Sequence, residues 1–288
     1  MALKIQDVLK LAVERIKETK ACTPLLDAEV ILCHTLKKDR LFLYTHRDHV
    51  LKEEEVRVFN ECIEKRTQGM PVAYIVRKQE FMGLNFYVEE GVLIPRPDTE
   101  ILVERVIEWT KKRKNDNRTI VDLGTGSGAI TISLAKYIEN TFVYSIDLSR
   151  HALEIGKKNA ILNEVTENTL FLEGDLFTPI KDKLEGKVDI LVSNPPYIPR
   201  KEIEKLQIEV KKFEPKTALD GGVDGLDFYR KIIDEAPNFV KKGGFIGLEV
   251  GHDQADVVKR MMENKGDYYE IEKIKDLAGI ERVVVATL

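Results

Sequence analysis

Thr119-Ile-Val-Asp122-Leu-Gly124-Thr-Gly126-Ser-Gly128-Ala129, with Ile130, Ile132, Leu134 and Ala135 behind it, reads as strand, glycine-rich turn and helix in that order. An apolar run closes on an acid. Glycines then stand where the backbone must turn tightly and let a ligand come close, and apolar residues resume at helical spacing. Formally, Gly124-x-Gly126-x-x-Ala129 satisfies the G-x-G-x-x-G/A fingerprint, with Asp147 about 20 positions on, where an acid that bonds ribose hydroxyls belongs.

The same grammar continues outward. Phe142-Val-Tyr-Ser-Ile146 predicts a strand ending at Asp147, Ser149 a cap for a helix over 150–163, and Leu170-Phe-Leu-Glu173 a strand followed by Gly174-Asp175-Leu176. Val188 to Ser193 predicts a further strand, 225–241 a helix, 244–250 a strand and 254–264 a helix. Residues 268–274 and 282–287 predict a closing pair, antiparallel because the connection between them is too short for a parallel crossover. The expected fold class is α/β, a doubly wound, Rossmann-like mixed sheet of seven strands. Ligands in such sheets bind beyond the carboxyl ends of the strands, so Asp147 is expected on the ribose of an adenosine-bearing cofactor, with Asp175 and Leu176 covering its adenine.

The glycine turn does not separate a nicotinamide cofactor from S-adenosylmethionine; Asn194-Pro195-Pro196-Tyr197, directly after the strand 188–193, does. Two prolines make a rigid corner poor in donors and hold the residue before them extended. The Asn194 side-chain oxygen and a neighbouring main-chain carbonyl can then accept both hydrogens of a planar NH₂ group, with the Tyr197 ring to stack on it. An amide nitrogen is a poor nucleophile, and two acceptors fixed where positive charge develops on it stabilise the transition state more than the ground state. A hydride enzyme has no use for such a corner, whereas methyl transfer to nitrogen needs one. Asp122, just before the glycines, suits a cofactor carrying amino and sulfonium charge.

The first third is different. Ile5, Val8, Leu9, Ala12, Val13 and Ile16 recur at helical spacing, Thr23-Pro24 is a cap and first-turn pair for a helix over 25–36, and 53–66 reads as another helix. Residues 79–88 alternate, Glu89-Glu90-Gly91 supplies a turn, and Val92 to Ile94 returns, which predicts a β-hairpin. The expected organisation is a helical domain over 1–78, a hairpin linker over 79–95 and a catalytic domain over 96–288.

With 288 residues, 33% charged and 43% hydrophobic, the chain can bury a sizeable core. A net charge of −4 and a single dense basic run, Lys111 to Lys114, argue against a stable nucleic-acid partner. Cys22, Cys33 and Cys62 lack C-x-x-C spacing, and His46 and His49 lack partners at ligand spacing, so reduced thiols and no metal site are expected. No apolar run approaches a membrane span, and the start is not a signal sequence; a cytoplasmic location is expected.

Together the helical front, the Phe81-Met-Gly hairpin, Gly91-Val-Leu-Ile-Pro-Arg-Pro-Asp-Thr-Glu100, Asp122 to Gly128, Asn194 to Tyr197 and Glu214-Pro-Lys-Thr-Ala-Leu-Asp-Gly-Gly222 resemble the HemK/PrmC family of protein-(glutamine-N5) methyltransferases over nearly the whole chain. The resemblance implies a class I S-adenosylmethionine-dependent fold and a methyl transfer to the glutamine of the Gly-Gly-Gln tip of peptide chain release factors, by an enzyme expected to be a monomer. It implies cofactor contacts from Gly124, Thr125, Gly126, Ser127, Gly128, Asp147 and Asn194. It puts the substrate glutamine on Asn194, Pro195, Pro196 and Tyr197, with Asn194, Pro195 and Tyr197 as the catalytic set. Leu176 departs from relatives that carry an aromatic residue against the adenine. Two neighbouring readings are an adenine-N6 methyltransferase, which would need a flipped base and a basic groove, and a glutamine methyltransferase of a ribosomal protein. A third is a non-catalytic cofactor-binding scaffold, against which the intact Asn-Pro-Pro-Tyr corner speaks.

Overall fold

The computed structural model describes residues 3–19, 23–113 and 117–288; Cys22 and Lys114 lie outside them. In chain order come α1 (Ile5–Lys17), α2 (Pro24–Leu36), α3 (Arg40–Thr45), α4 (Glu53–Thr67), α5 (Val72–Val76), β1 (Gln79–Phe81), β2 (Leu84–Phe86) and α6 (Pro97–Lys111). Then follow β3 (Arg118–Leu123), α7 (Ala129–Tyr137), β4 (Thr141–Asp147), α8 (Arg150–Leu162), β5 (Thr169–Glu173) and β6 (Val188–Ser193). The chain ends with α9 (Ile208–Phe213), α10 (Asp227–Phe239), β7 (Val240–Glu249), α11 (Ala255–Lys265), β8 (Tyr269–Lys275) and β9 (Glu281–Thr287).

Two compact units emerge. One comprises residues 1–78 together with 207–213, the other 79–206 with 214–288.

In the first unit, Ile5, Val8, Ala12 and Ile16 of α1 form one apolar stripe that packs with Ile31 and Leu32 of α2 and Phe59 and Ile63 of α4. Thr23 precedes α2 and Pro24 takes its first turn, but the Thr23 hydroxyl donates to the Asp27 carboxylate (2.8 Å) instead of capping the backbone. Asp27 also accepts from Arg66 Nε (2.7 Å), and Arg66 Nη2 donates to Glu209 of α9 (2.6 Å). With Arg66 only 4% exposed, two carboxylates keep its buried charge compensated. They also explain why a segment from far along the chain belongs to this unit, an attachment no periodicity reveals. His46 stacks on Phe42 at 4.2 Å and His49 meets the same ring edge-on, so both are packing residues.

In the second unit, β1 and β2 pair antiparallel with Phe81 opposite Leu84. The hairpin therefore turns at Met82-Gly83, not at Glu89-Glu90-Gly91 as the alternation suggested. Met82 and Gly83 both have positive φ (52° and 70°), as the favoured two-residue hairpin turn requires. Glu100 accepts from the Met82 N–H (2.6 Å) and Tyr137 donates to its carbonyl (2.6 Å). Val88, Val92 and Ile94 are buried but lie outside any strand, which is why their pattern mimicked one.

The seven-stranded sheet has the order β5-β4-β3-β6-β7-β9-β8. The first five strands are parallel and β9 runs antiparallel to both β7 and β8. Helices cover both faces, so the central residues Ile120 and Val121 of β3 and Ile190, Leu191 and Val192 of β6 are apolar and buried on either side. α10 stops at Phe239, two residues short of the expected end, because Val240 turns extended and pairs with Val188 as the first residue of β7. Pro237 in its last turn has no N–H for the Ile233 carbonyl, and the Tyr268 hydroxyl donates to that carbonyl instead (2.6 Å). From β3 the chain builds outward through β4 and β5 on one side, then crosses back to β6 on the other, and the switch point between β3 and β6 is where doubly wound sheets bind ligands.

Candidate active site

β3 and β6 end side by side, with the Ser193 hydroxyl donating to the Leu123 carbonyl (2.7 Å). Beyond them opens a cavity of about 370 Å³ within the second unit. Gly124, Thr125, Gly126 and Ser127 line it after β3, Asp147 at the end of β4, Asp175 and Leu176 after β5, and Asn194, Pro195 and Pro196 after β6. Four strand ends thus bring most of the expected site residues to one place.

Two expected residues do not line it. Gly128 has φ +84° at the start of α7, and a Cβ there would stand 3.0 Å from Ile132 and 3.3 Å from Gly156, so its job is close packing of the turn. Tyr197 packs against the core, its carbonyl accepts from Gln254 (2.9 Å), and burial raises its phenol above the ordinary range.

Gly124 and Gly126 both have positive φ, and a Cβ on Gly126 would meet no protein atom within 4 Å. A ligand can approach that backbone. Asp147 Oδ2 accepts from the Gly126 N–H and Oδ1 from the Ser149 N–H, both at 2.8 Å, which leaves lone pairs free on each oxygen. Burial raises the Asp147 pKa and those backbone bonds pull it back. Asp122 does not face the cavity. It accepts from the Thr125 (2.9 Å) and Thr131 (2.7 Å) hydroxyls, and full burial pushes it up to about 6. A fixed polar network beneath the turn is its place, not a cofactor's charge.

Asp175 is exposed, with Lys231 3.9 Å away. Leu176 lines the cavity, and the aromatic lining residue is Phe228 at the start of α10. Neither periodicity nor motif pointed to Phe228.

Arg96 and Thr99, around the start of α6, also line the cavity. Arg96 pairs with the buried Glu214 at 2.5 Å. The loop after Glu214 lines the cavity through Pro215, Thr217 and Ala218 and then packs on the proline corner. The Ile198 N–H donates to the Leu219 carbonyl and the Gly221 N–H to the Ile198 carbonyl. A Cβ on Gly221 would fall 2.8 Å from both the Pro196 carbonyl and Tyr197 Cα, so only glycine fits.

Asn194 is tied to a buried acid that sequence reasoning missed. Its Nδ2 donates to Thr99 Oγ1 (3.2 Å), and Thr99 Oγ1 donates to Glu249 Oε2 (2.5 Å). Glu249 is fully buried at the end of β7. Burial pushes its carboxyl up to about 7 against hydrogen bonds from Thr99 and Asn194. An acid inside the otherwise apolar run 244–250 was the available signal.

Comparison with known proteins fits this geometry. Residues 7–76 match the PrmC N-terminal domain family and residues 97–211 the methyltransferase small domain family. The release factor glutamine methyltransferase of Clostridium acetobutylicum is 44% identical over 99% of this chain and 98% of its own. That of Thermodesulfovibrio yellowstonii is 40% identical over 95% and 97%. The chain belongs to the release factor glutamine methyltransferase family.

Among solved structures, the human Mettl16 catalytic domain in complex with an RNA hairpin superposes with a TM-score of 0.56 at 17% identity, covering 83% of this chain and 84% of that one. A ribosomal protein L11 methylase from Lactobacillus delbrueckii gives 0.50 at 17%, over 69% and 83%. At such identities the likeness is one of fold. This member of the release factor glutamine methyltransferase family has the α/β methyltransferase architecture, and its cofactor is S-adenosylmethionine. The site fits that cofactor, with open glycine backbone, an acid holding spare lone pairs and apolar lining from Leu176 and Phe228.

Proposed function

We propose that this chain transfers the methyl group of S-adenosylmethionine to the side-chain nitrogen (N5) of the glutamine in the Gly-Gly-Gln tip of peptide chain release factors, and so modulates translation termination. The observation that carries the reading is the orientation of Asn194. Its NH₂ is turned to Thr99 and Glu249, so the group left for a ligand in the cavity is an acceptor oxygen.

When bound, the cofactor supplies an electrophilic methyl on a sulfonium. Gly124 to Ser127 and Asp147 hold it, Asp147 through the ribose hydroxyls, with Leu176 and Phe228 beside the adenine. Asn194 Oδ1 and the Pro195 carbonyl accept the two hydrogens of the glutamine amide, and Pro196 keeps the corner rigid. As the amide nitrogen takes the methyl it gains positive charge, those acceptors bind it more strongly, and one of its hydrogens then leaves as a proton to solvent; losing one such partner costs about 2.7–4 kcal/mol in turnover. Orientation contributes further, on a scale of about 7–11 kcal/mol for well-oriented reactants. Tyr197 supports the corner from behind, through its ring in the core and its carbonyl on Gln254.

The unit of residues 1–78 and 207–213 serves as the release-factor recognition domain, and the unit of 79–206 and 214–288, with the hairpin inside it, serves as the transfer domain. The enzyme works as a cytoplasmic monomer without a stable nucleic-acid partner. The net charge of −4 supports the last point, and no helix among the described residues is long and apolar enough to cross a membrane. Incubation with labelled S-adenosylmethionine and release factor, followed by mass spectrometry, tests the reading. Methyl on the Gly-Gly-Gln glutamine is the expected result, and methyl on adenine in added DNA or RNA, or on a ribosomal protein alone, would replace it.

A further inference from the structure

Asn194 works only if it shows the cavity its oxygen. An asparagine amide is nearly symmetric in shape, so rotating it by half a turn would present two donors instead of an acceptor at little steric cost. Something must fix its polarity. The proline corner does not, because Pro195 and Pro196 constrain backbone and carry no side-chain hydrogen bond.

Thr99 and Glu249 can. A threonine hydroxyl has one hydrogen and two lone pairs, and an ionised carboxylate only accepts. With Glu249 as carboxylate, the single Thr99 hydrogen must point at Oε2, 2.5 Å away. Thr99 then has only lone pairs for Asn194, so at 3.2 Å the asparagine must give an N–H. The acid is 2% and Thr99 4% exposed, so water does not substitute for either bond. The contact spans 150 residues and joins α6 to the end of β7.

We propose that Glu249 and Thr99 are positioning residues that set the polarity of Asn194: the acceptor-only carboxylate orders the Thr99 hydroxyl and draws the asparagine NH₂ toward itself, and the hydroxyl's lone pair holds that NH₂ so that the Asn194 oxygen turns toward the substrate nitrogen. This rests on the glutamine-methyltransferase reading and extends it to specificity. A site showing an oxygen accepts a glutamine NH₂ and repels a glutamate, whereas a flipped Asn194 does the reverse.

The same chain of bonds makes turnover pH-dependent. A protonated Glu249 can donate to Thr99, which frees the Thr99 hydrogen for Asn194 Oδ1 and favours the flipped amide. The groups facing Glu249 are Asp98 of α6, which raises its pKa, Arg282 of β9, which lowers it, and the phenols of Tyr197 and of Tyr229 on α10, which stay protonated. With the Glu249 pKa near 7, turnover rises with pH through neutrality.

The test uses the full chain with Thr99→Val, Thr99→Ser and Glu249→Gln. It measures kcat, KM, cofactor affinity by calorimetry, melting temperature, and the affinities of Gly-Gly-Gln and Gly-Gly-Glu peptides. Thr99→Val is expected to lower kcat by roughly 10- to 10²-fold, the scale of a small misplacement at a reacting centre. Its cofactor affinity should stay within about twofold and its Gln-over-Glu preference should shrink by a similar factor. Thr99→Ser should restore both, and Glu249→Gln should flatten the rise of kcat around pH 7. A Thr99→Val enzyme with wild-type kcat and peptide preference would overturn the relay while leaving the functional reading intact, as would Thr99→Ser as slow as Thr99→Val. If any variant melts early, the peptide-affinity ratio of Thr99→Ser against wild type decides. A wild-type enzyme that leaves the glutamine unmethylated would remove both readings.

Discussion

At the scale of single residues, Asn194 and Asp147 separate catalysis from cofactor binding. Asn194→Ala should lower kcat by about 10²–10³-fold with little change in melting temperature, because it deletes one transition-state acceptor and leaves the apolar core untouched. Near-wild-type turnover would end the acceptor role. Asp147→Ala should instead weaken S-adenosylmethionine by about 1.5–3 kcal/mol, the worth of hydrogen bonds to a charged group, read by calorimetry. Glu249 carries a stability signature of its own. Its pKa rises from the ordinary 4.5 to about 7 on folding, so between those values the folded state holds more protons than the unfolded one, and stability falls as pH rises through that window. Glu249→Gln removes this titration. The melting temperature of the variant relative to wild type should therefore move in its favour between pH 5 and pH 8, and a flat difference would place the pKa elsewhere. The buried acid destabilises the fold at the pH where it orders Thr99, as expected of a group kept for function.

At the scale of elements, the sequence told most where a segment's pattern and its burial share one cause. The strand, turn and helix of 119–135 were legible because both faces of β3 are covered and Gly124, Gly126 and Gly128 all take positive φ, which side chains disfavour. Asn194 to Pro196 were legible because prolines restrict backbone locally. What stayed hidden depends on partners far along the chain: Glu249 lies 150 residues from Thr99 and Glu209 lies 143 from Arg66. Phe228 reaches the cavity only because α10 begins beside it. The hairpin was misplaced because buried loop residues can alternate like a strand. The Arg66 pairs also predict an energy: Arg66→Ala leaves Asp27 buried without its cation, and breaking such a pair typically costs about 3–5 kcal/mol. Urea unfolding of the full chain is the measurement. A cost below about 1 kcal/mol would mean that water already reaches the Asp27 carboxylate.

At the scale of the whole molecule, the question is what a site built of acceptors rejects. A chain of net charge −4 does not gather polyanions, and its cavity, beyond Arg96 paired with Glu214, offers a ligand open backbone, apolar surface, the Asp147 and Asp175 carboxylates and the Asn194 oxygen. A glutamine fills that oxygen's need for a hydrogen. A glutamate brings none, and its charge would meet the Asn194 oxygen and a carbonyl with no hydrogen between them. Sites that hydrogen-bond their substrate reject analogues lacking the bond by about 10⁴–10⁵-fold. Release factor and its Gln→Glu variant should therefore differ by that order in kcat/KM, with mass spectrometry placing the methyl on the Gly-Gly-Gln glutamine. DNA and RNA rich in adenine should stay unlabelled at every salt concentration, because salt tunes only phosphate-driven binding. Comparable labelling of the Gln→Glu factor would mean that the accepted atom lies outside the tip, and the acceptor corner would then need another substrate.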